Sequence, residues 1–118
     1  MAERPADLKE RAFGFTLRIL KIAAELPRVT EAQVVRRQIA RSGLSITTNV
    51  EEADGCDTRP ETRRIFIIAR RDARETRVLL RVIRHLWSSV VNVEADLKEA
   101  TKLIKILSAI IMKLKGIQ

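Results

Sequence analysis

The 118-residue chain is poor in the residues that usually build chemical sites. It has one cysteine, one histidine, four glycines, three prolines, three phenylalanines and one tryptophan. The single Cys56 excludes an internal disulfide and favours a reducing compartment. One cysteine and one histidine cannot supply the four ligands of a structural zinc site. The aromatic residues are too few for the base-stacking surfaces of single-strand-binding proteins.

Long apolar runs and phosphate-cradling glycine loops are also missing. No apolar run reaches the roughly 18–20 residues that span a bilayer. The first residues alternate in charge, unlike a signal peptide, so we expect a cytoplasmic protein. His85 has no orienting acid or nucleophile beside it in the sequence. We therefore expect no catalytic residue, no metal, no cofactor and no enzymatic activity.

Positive charge is the strongest compositional signal. The chain has a formal net charge of +8, and arginine outnumbers lysine sixteen to seven. Arginine favours bidentate contacts with phosphates or carboxylates. A basic chain of this size is typical of nucleic-acid binders, although membranes and acidic proteins attract the same charge.

The apolar residues repeat at helical spacing and predict four amphipathic helices without strands. Thr30 with Gln33, and Thr58 with Glu61, match the capping-box pattern at the starts of the second and third helices. Asn92 is expected to cap the fourth. Long helices with short connections predict an antiparallel up-down four-helix bundle. At this length the bundle is one domain, residues 1–118.

On the third helix, the expected core residues are Ile65, Ala69, Asp72, Thr76, Leu79, Ile83 and Leu86.

The second helix differs from the others on its core-facing side. On the second helix, residues that are small or polar stand where leucine or isoleucine is expected, namely Ser42, Gly43, Ser45, Thr47, Thr48 and Asn49. Such a run has low helix propensity. A close approach to a neighbouring helix would compensate for it, although an ordinary crossing of small residues is an equally simple interpretation.

An arginine ridge runs along the third helix, opposite its expected core. Nine arginines and three acids lie between Arg59 and Trp87, so this helix carries six of the eight net charges. The ridge consists of Arg63, Arg70, Arg74, Arg77, Arg81 and Arg84, widened by Arg64 and Arg71. Like charges at this spacing cost about 0.2–0.5 kcal/mol per pair. We therefore predict that the ridge binds the phosphates of RNA or DNA; the alternative is a solvated helix face.

Two further patterns indicate contacts between subunits. The first and fourth helices carry more apolar residues than a lone bundle buries. Leu17 and Leu20 on the first, with Ile106 and Ile110 on the fourth, are the expected interface of a homo-oligomer. An acidic cluster ends the second helix, namely Glu51, Glu52, Asp54 and Asp57. It lacks the ligand pattern of a calcium loop, and we interpret it as a partner for arginines of another subunit.

One segment of the second helix resembles a known family. Residues 38–52 read Gln-Ile-Ala-Arg-Ser-Gly-Leu-Ser-Ile-Thr-Thr-Asn-Val-Glu-Glu. This is similar to the Gln-x-x-Arg and Ser-Ile-x-x-Asn-Ile-x-Glu-Gly pattern of a bacterial four-helix-bundle family. That family includes proteins encoded in intervening sequences of large-subunit ribosomal RNA genes and accessory proteins of diversity-generating retroelements. Ile68-Ala69, followed by Asp72 and Glu75, resembles a second family block.

The chain departs from the family pattern at three positions. Ala53 replaces the usual glycine, Ala40 replaces the first of two arginines, and Asp72 replaces the usual serine. Asp72 places a carboxylate on the core side, where it requires a partner. Arg41 and Glu75 match family positions and flank the core stripes. We predict an ion pair between them that is partly buried.

The resemblance implies a non-enzymatic, barrel-like homo-oligomer, typically a ring of five. In the retroelement branch, such an assembly is similar to a scaffold that binds RNA and a reverse transcriptase. The competing interpretation is a structural or protein-interaction module encoded in a ribosomal RNA intervening sequence. Its arginines would then contact other subunits or protein partners.

Overall fold

Four α-helices make up the part of the chain that the computed structural model describes, residues 5–116 with side chains from residue 7. They are α1 (Pro5–Glu25), α2 (Thr30–Asp54), α3 (Arg59–Trp87) and α4 (Glu94–Leu114). No strand occurs within residues 5–116. The first residues, whose charges argued against a signal peptide, lie outside this range.

The two predicted capping boxes have different outcomes. The Thr58 hydroxyl accepts the backbone N–H of Glu61 at 3.3 Å, which confirms the capping box of α3. The capping box predicted at Thr30 is wrong. Val29 occupies the N-cap position, and its carbonyl accepts the N–H of Gln33 at 3.0 Å. Thr30 already lies inside the helix, one position too late for its hydroxyl to cap the first turn.

The remaining helix ends agree more closely with the sequence. Gly55 is the C-cap residue of α2, and α3 ends at Trp87. Val93 occupies the N-cap position of α4, but the Asn92 side-chain oxygen accepts the N–H of Glu94 at 3.0 Å. Asn92 therefore caps α4 from one position further out than predicted.

Neighbouring helices run antiparallel. As residue numbers rise along one helix, those of the contacted residues fall along the next. The pairs that show this are Ser42–Thr76 and Asn49–Asp72 between α2 and α3, and Arg70–Ser108 and Arg77–Thr101 between α3 and α4. Each helix packs extensively on the next, whereas α1 and α4 touch much less. The bundle measures 46 × 23 × 19 Å.

One hydrophobic core runs through the bundle, and α1 contributes to it one buried stripe, Leu8, Ala12, Phe15, Ile19, Ile22 and Leu26. The prediction for the end of α3 is wrong at one position. Leu86 is 56% exposed, whereas Leu80 and Ile83 are fully buried. A strict seven-residue repeat drifts by about 20° per heptad against a straight helix. After Thr76 the buried side therefore passes through Leu80 instead of Leu79 and Leu86.

The small residues of α2 allow a close approach to α1. A Cβ atom added at Gly43 would lie 2.8 Å from Cγ2 of Ile19, a buried side chain on α1. The Thr16 hydroxyl donates a 2.8 Å hydrogen bond to the Gly43 carbonyl across the same contact. The close approach expected from the sequence is therefore present, and the absent Gly43 side chain makes it possible.

A polar seam joins α2 to α3. Asp72 is only 4% exposed and accepts hydrogen bonds from the Ser45 hydroxyl at 2.6 Å and the Asn49 amide at 3.4 Å. The hydroxyl oxygens of Ser42 and Thr76 lie 2.7 Å apart nearby. Asp72 thus has the partners that a core-facing carboxylate requires, because a buried polar group is costly without hydrogen bonds.

Ion pairs close the seam between α1 and α4. Arg11 donates two hydrogen bonds to Glu99, at 2.6 and 3.1 Å, and Arg18 donates one to Asp96 at 2.7 Å. Asp96 is buried, although it lies in the first turn of its helix. The first and last helices are therefore linked through charged side chains where their backbones come close at few positions.

We predict that Gly43→Ala destabilises the protein by about 1–3 kcal/mol, the usual cost of overpacking a core. The new methyl group would press on the β-branched Ile19, which cannot move away easily. Gly14→Ala is the matched control. A Cβ there meets nothing within 4 Å, so it should stabilise α1 by about 0.5–1 kcal/mol. Urea unfolding of both variants measures the difference, and equal stability of the two would contradict the close approach.

Candidate nucleic-acid interface

The arginines of α3 separate into two rows. The inner row repeats every seven residues on the side that faces α4 and comprises Arg63, Arg70, Arg77 and Arg84. The outer row points away from the bundle and comprises Arg64, Arg71, Arg74 and Arg81, all exposed. The sequence placed both rows on a solvated face. This is wrong for Arg63, Arg70 and Arg77, which are half-buried against α4, whereas Arg84 is exposed as expected.

Each inner-row arginine contacts α4. Arg63 donates to the Ile111 carbonyl at 3.3 Å, Arg70 to the Ser108 hydroxyl at 3.1 Å and Arg77 to the Thr101 hydroxyl at 3.3 Å, and Arg84 lies 3.6 Å from Glu94. Only the last is an ion pair. A guanidinium has five N–H donors, so Arg63, Arg70 and Arg77 keep most of their donors and all of their charge for another partner.

Arg70 lies where positive charge is concentrated. Burial lowers the pKa of Arg70, and the positive charges of Arg74 and Arg63 lower it further. Arginine remains protonated in proteins despite such shifts. Burial is the larger cause of this shift, and the two neighbouring arginines add electrostatic repulsion to it. An anion placed beside Arg70 would relieve this repulsion.

Only one member of the outer row has an acidic partner. Arg64 donates to Glu61 at 2.7 and 3.3 Å, and this contact lowers the pKa of Glu61 and raises that of Arg64. Arg71, Arg74 and Arg81 form no ion pair with any residue of the described range. Their positive charges are therefore left without a neutralising partner within residues 5–116.

Residues of α4 extend the basic surface. Lys98, Thr101, Lys105 and Ser108 follow one another at intervals of three and four residues, so they share one side of α4. Because Thr101 and Ser108 contact α3, the exposed Lys98 and Lys105 lie beside the arginines. We call this surface the α3–α4 groove. Its floor is Arg70, Arg77, Thr101 and Ser108, and its rims are Arg74, Arg81, Lys98 and Lys105.

The predicted ion pair between Arg41 and Glu75 is present, but it is not buried as expected. Arg41 donates to Glu75 across α2 and α3, while the two side chains are 60% and 34% exposed. Both residues flank the polar seam on its solvent side. Exposed ion pairs typically contribute about 0–1 kcal/mol, so this pair is not the sensitive buried contact that the sequence indicated.

Arg36 has a structural role that the sequence did not indicate. Its guanidinium donates to three backbone carbonyls at the end of α1, those of Ala23, Leu26 and Pro27, at 2.9, 2.7 and 3.2 Å. The last carbonyls of a helix have no partners within the helix. Arg36 therefore caps α1 from α2. No sequence pattern distinguishes it from the exposed Arg37 beside it.

The four predicted interface residues do not form one surface. Leu17 is exposed and Leu20 half-buried on α1, on the side that carries Lys9 toward α2. Ile106 and Ile110 are half-buried and pack against the core. They fall on the side of α4 that carries Glu99 and faces α1. The two pairs therefore border different seams of the bundle and belong to two separate surfaces.

Part of the acidic cluster is neutralised within the chain. Lys9 of α1 lies 2.5 Å from Asp54 and 3.9 Å from Glu51. The hydrogen bond to Asp54, with the charges of Asp54 and Glu51, raises the pKa of Lys9 against a smaller opposing effect of burial. Glu52 and Asp57 form no ion pair within the described part of the chain. The cluster thus keeps acidic side chains for an outside partner.

Two other features are absent from the described residues. Among residues 5–116, no three or more histidine, cysteine, aspartate or glutamate side chains are grouped so that they could hold a metal ion. His85 is exposed at the end of α3. None of the four helices is long and apolar enough to cross a membrane.

The geometry defines a basic four-helix bundle, and comparison with known proteins identifies its family. The family model for the 23S rRNA-intervening sequence protein matches residues 5–113. The chain therefore belongs to this family, as the α2 motif indicated.

A solved structure shares the fold along nearly its whole length. It is a protein of unknown function from the S23 ribosomal protein family of Bacteroides thetaiotaomicron. The two chains are 27% identical, with a TM-score of 0.80, and the match covers 88% of this chain and 97% of that one. A search of curated proteins found no match.

We predict that Arg36→Ala costs more stability than Arg41→Ala. Removing Arg36 leaves helix-end carbonyls without their charged donor, a loss of about 1.5–3 kcal/mol for hydrogen bonds to a charged group. Removing Arg41 breaks an exposed pair and should cost less than about 1 kcal/mol. Thermal unfolding followed by circular dichroism compares the two. A larger loss for Arg41→Ala would show that its pair with Glu75 is more protected from solvent than described.

Proposed function

We propose that this protein is a non-enzymatic scaffold in the cytoplasm that binds RNA or DNA through the α3–α4 groove and assembles with copies of itself. The observation that carries the proposal is the unneutralised charge of Arg71, Arg74 and Arg81 beside the half-buried Arg70. A helix that only needed solubility would mix acids among these arginines, because like charges one turn apart repel.

The ligand of this surface is the phosphate backbone. Groups that read base edges in a groove include asparagine and glutamine as well as arginine, and the rims of the α3–α4 groove are only arginine and lysine. Arg74 and Arg81 are two turns apart, a rise of about 10.5 Å along the helix. They present a line of charge that positions a nucleic acid with little sequence preference.

The family resemblance supports a further partner and a stoichiometry. The family that the α2 motif resembles includes accessory proteins of diversity-generating retroelements, so a reverse transcriptase is the protein partner we propose, with a ring of five as the assembly. Gene neighbourhood tests this part. A reverse transcriptase and a repeated template beside the gene support the retroelement role, whereas a position inside a ribosomal RNA gene supports the intervening-sequence role.

A second candidate function is a structural or protein-interaction module. It is favoured by the contacts of Arg64 with Glu61 and of Arg84 with Glu94, which show that arginines of α3 also serve as protein contacts. In that case the free arginines would bind acidic protein surfaces, and nucleic acid would not compete for them.

We predict that replacing Arg74, Lys98 and Lys105 with glutamine weakens binding to single-stranded RNA and DNA at least tenfold. The log–log salt slope should also fall by about 0.7 for every phosphate that the variant no longer neutralises. All three residues are exposed, so folding should not change. Arg70 and Arg77 are left intact because they also hold α4. Fluorescence anisotropy with labelled oligonucleotides at several salt concentrations measures both quantities.

The matched control replaces Lys21, Arg28 and Arg37, three exposed residues outside the groove, with glutamine. It removes the same charge, so it should weaken binding much less if the groove is the site. Equal losses in both variants would mean that only net charge matters. Unchanged affinity in the groove variant would mean that the arginine ridge of α3 is only a solvated helix face. That result would favour the second candidate function.

A further inference from the structure

A cavity of about 360 Å³ lies at the end of the bundle where α1 and α3 begin and α2 and α4 end. Side chains from all four helices line it, and the apolar ones are Leu8, Val50, Ala53, Phe66, Ile110 and Leu114. Protein interiors contain few voids larger than a water molecule. Apolar cavities of about 150 Å³ stay dry and take up apolar molecules such as benzene. This cavity is larger than that, and its volume falls within the range of small-molecule sites.

Most polar groups in the wall of the cavity are already engaged within the chain. The ammonium group of Lys9 lies 2.5 Å from the Asp54 carboxylate. The Thr62 hydroxyl and the Cys56 thiol each donate to the backbone carbonyl four residues earlier, at 2.8 and 3.4 Å. Burial and nearby carboxylates raise the pKa of the Cys56 thiol, so it stays uncharged. The inside of the cavity therefore offers mainly apolar contact to a ligand.

Lys113 differs from the other polar residues of the wall. Its ammonium group forms no hydrogen bond or ion pair with any residue of the described range. Because Lys113 is exposed, the cavity reaches the protein surface beside it. Arg59 adds a second positive charge there, since its guanidinium donates to the backbone carbonyl of Lys113 at 2.7 Å. The cavity thus combines an apolar interior with a positively charged mouth.

We infer that this cavity binds a small amphiphile with one alkyl chain and an anionic head group, such as a fatty acid. The alkyl chain lies against Val50 and Phe66, where it is removed from water. The head group stays at the mouth beside Lys113, because a charge carried into the apolar interior would lose its hydration without a partner. The site shares no residue with the α3–α4 groove, so it is independent of the nucleic-acid binding proposed above.

Isothermal titration calorimetry with decanoate, below the concentration at which it forms micelles, tests the inference. We expect one molecule to bind per chain. Affinity should rise about fourfold for each methylene group added between hexanoate and decanoate, because a buried methylene contributes about 0.8 kcal/mol. Decylamine has the same chain and a positive head group, so it should bind at least tenfold more weakly. Decyl phosphate in place of decanoate distinguishes a lipid phosphate from a fatty acid as the source of the head group.

A lysine variant tests the position of the head group. Lys113→Gln should weaken decanoate binding about three- to fivefold, which is the size of effect expected for an ion pair near the surface. Lys115→Gln is the matched control. It removes the same charge from an exposed residue at the same end of α4 that does not line the cavity, so decanoate affinity should stay unchanged.

A second variant fills the cavity. Ala53→Met places a flexible side chain in the cavity, so it should weaken decanoate binding at least tenfold while the melting temperature stays the same or rises. Ala69→Met is the matched control for stability. Ala69 is fully buried and does not line the cavity, so the same change should overpack the core and lower the melting temperature.

Other outcomes overturn the inference. Several decanoate molecules per chain, equal affinity for decanoate and decylamine, or unchanged affinity in Ala53→Met would each show that decanoate does not occupy this cavity. If Ala53→Met loses its helical circular dichroism signal, Ile110→Phe replaces it, because Ile110 is half-buried in the same wall. Nucleic-acid binding is measured separately: a protein that binds decanoate and no RNA or DNA contradicts only the proposed function, and the reverse contradicts only this inference.

Discussion

The carboxylate of Asp72 has to keep its hydrogen bonds to Ser45 and Asn49, because it is buried between α2 and α3 and forms no ion pair within the described residues. A slip of α2 along α3 would leave this charge without donors, at a cost of several kcal/mol. The polar seam therefore fixes one register between the two helices. That register in turn places Arg41 beside Glu75 on the solvent side of the seam, so this exposed contact depends on a buried one.

The helices and most of the core could be predicted, because apolar residues that recur every three or four positions lie on one side of a helix with 3.6 residues per turn. The errors arose at positions whose burial or capping depends on more than the spacing within one helix. Leu86 has the spacing of a core residue, but it is exposed, because the buried side of α3 passes through Leu80 and Ile83. Thr30 carries a capping signal, yet α2 begins at that residue instead of after it. The sequence shows which residues are apolar, but which of them are buried depends on how the neighbouring helix packs against them.

The candidate site was predictable in composition and much less so in arrangement. The charge of α3 is visible in the sequence, whereas its division into an inner and an outer row is not. Arginine has a long side chain that can bury its stem and still reach a carbonyl or hydroxyl on the next helix. Whether Arg70 reaches Ser108 depends on the register of α4, which no spacing within α3 reveals. The same holds for Ile106 and Ile110, whose neighbour across the seam belongs to a distant part of the chain.

The first and last helices, α1 and α4, approach each other less closely than any other neighbouring pair in the bundle. The backbones of consecutive helices approach each other closely at many positions, whereas those of α1 and α4 do so at few, and these two helices are linked by the pairs Arg11–Glu99 and Arg18–Asp96. Local opening starts where the fewest buried contacts must break. The easiest opening of this molecule is therefore a sideways separation of α1 from α4, with α1 still joined to α2 at the Gly43 contact. Such a motion would expose the interior along the long axis of the bundle while the surface arginines stay in place.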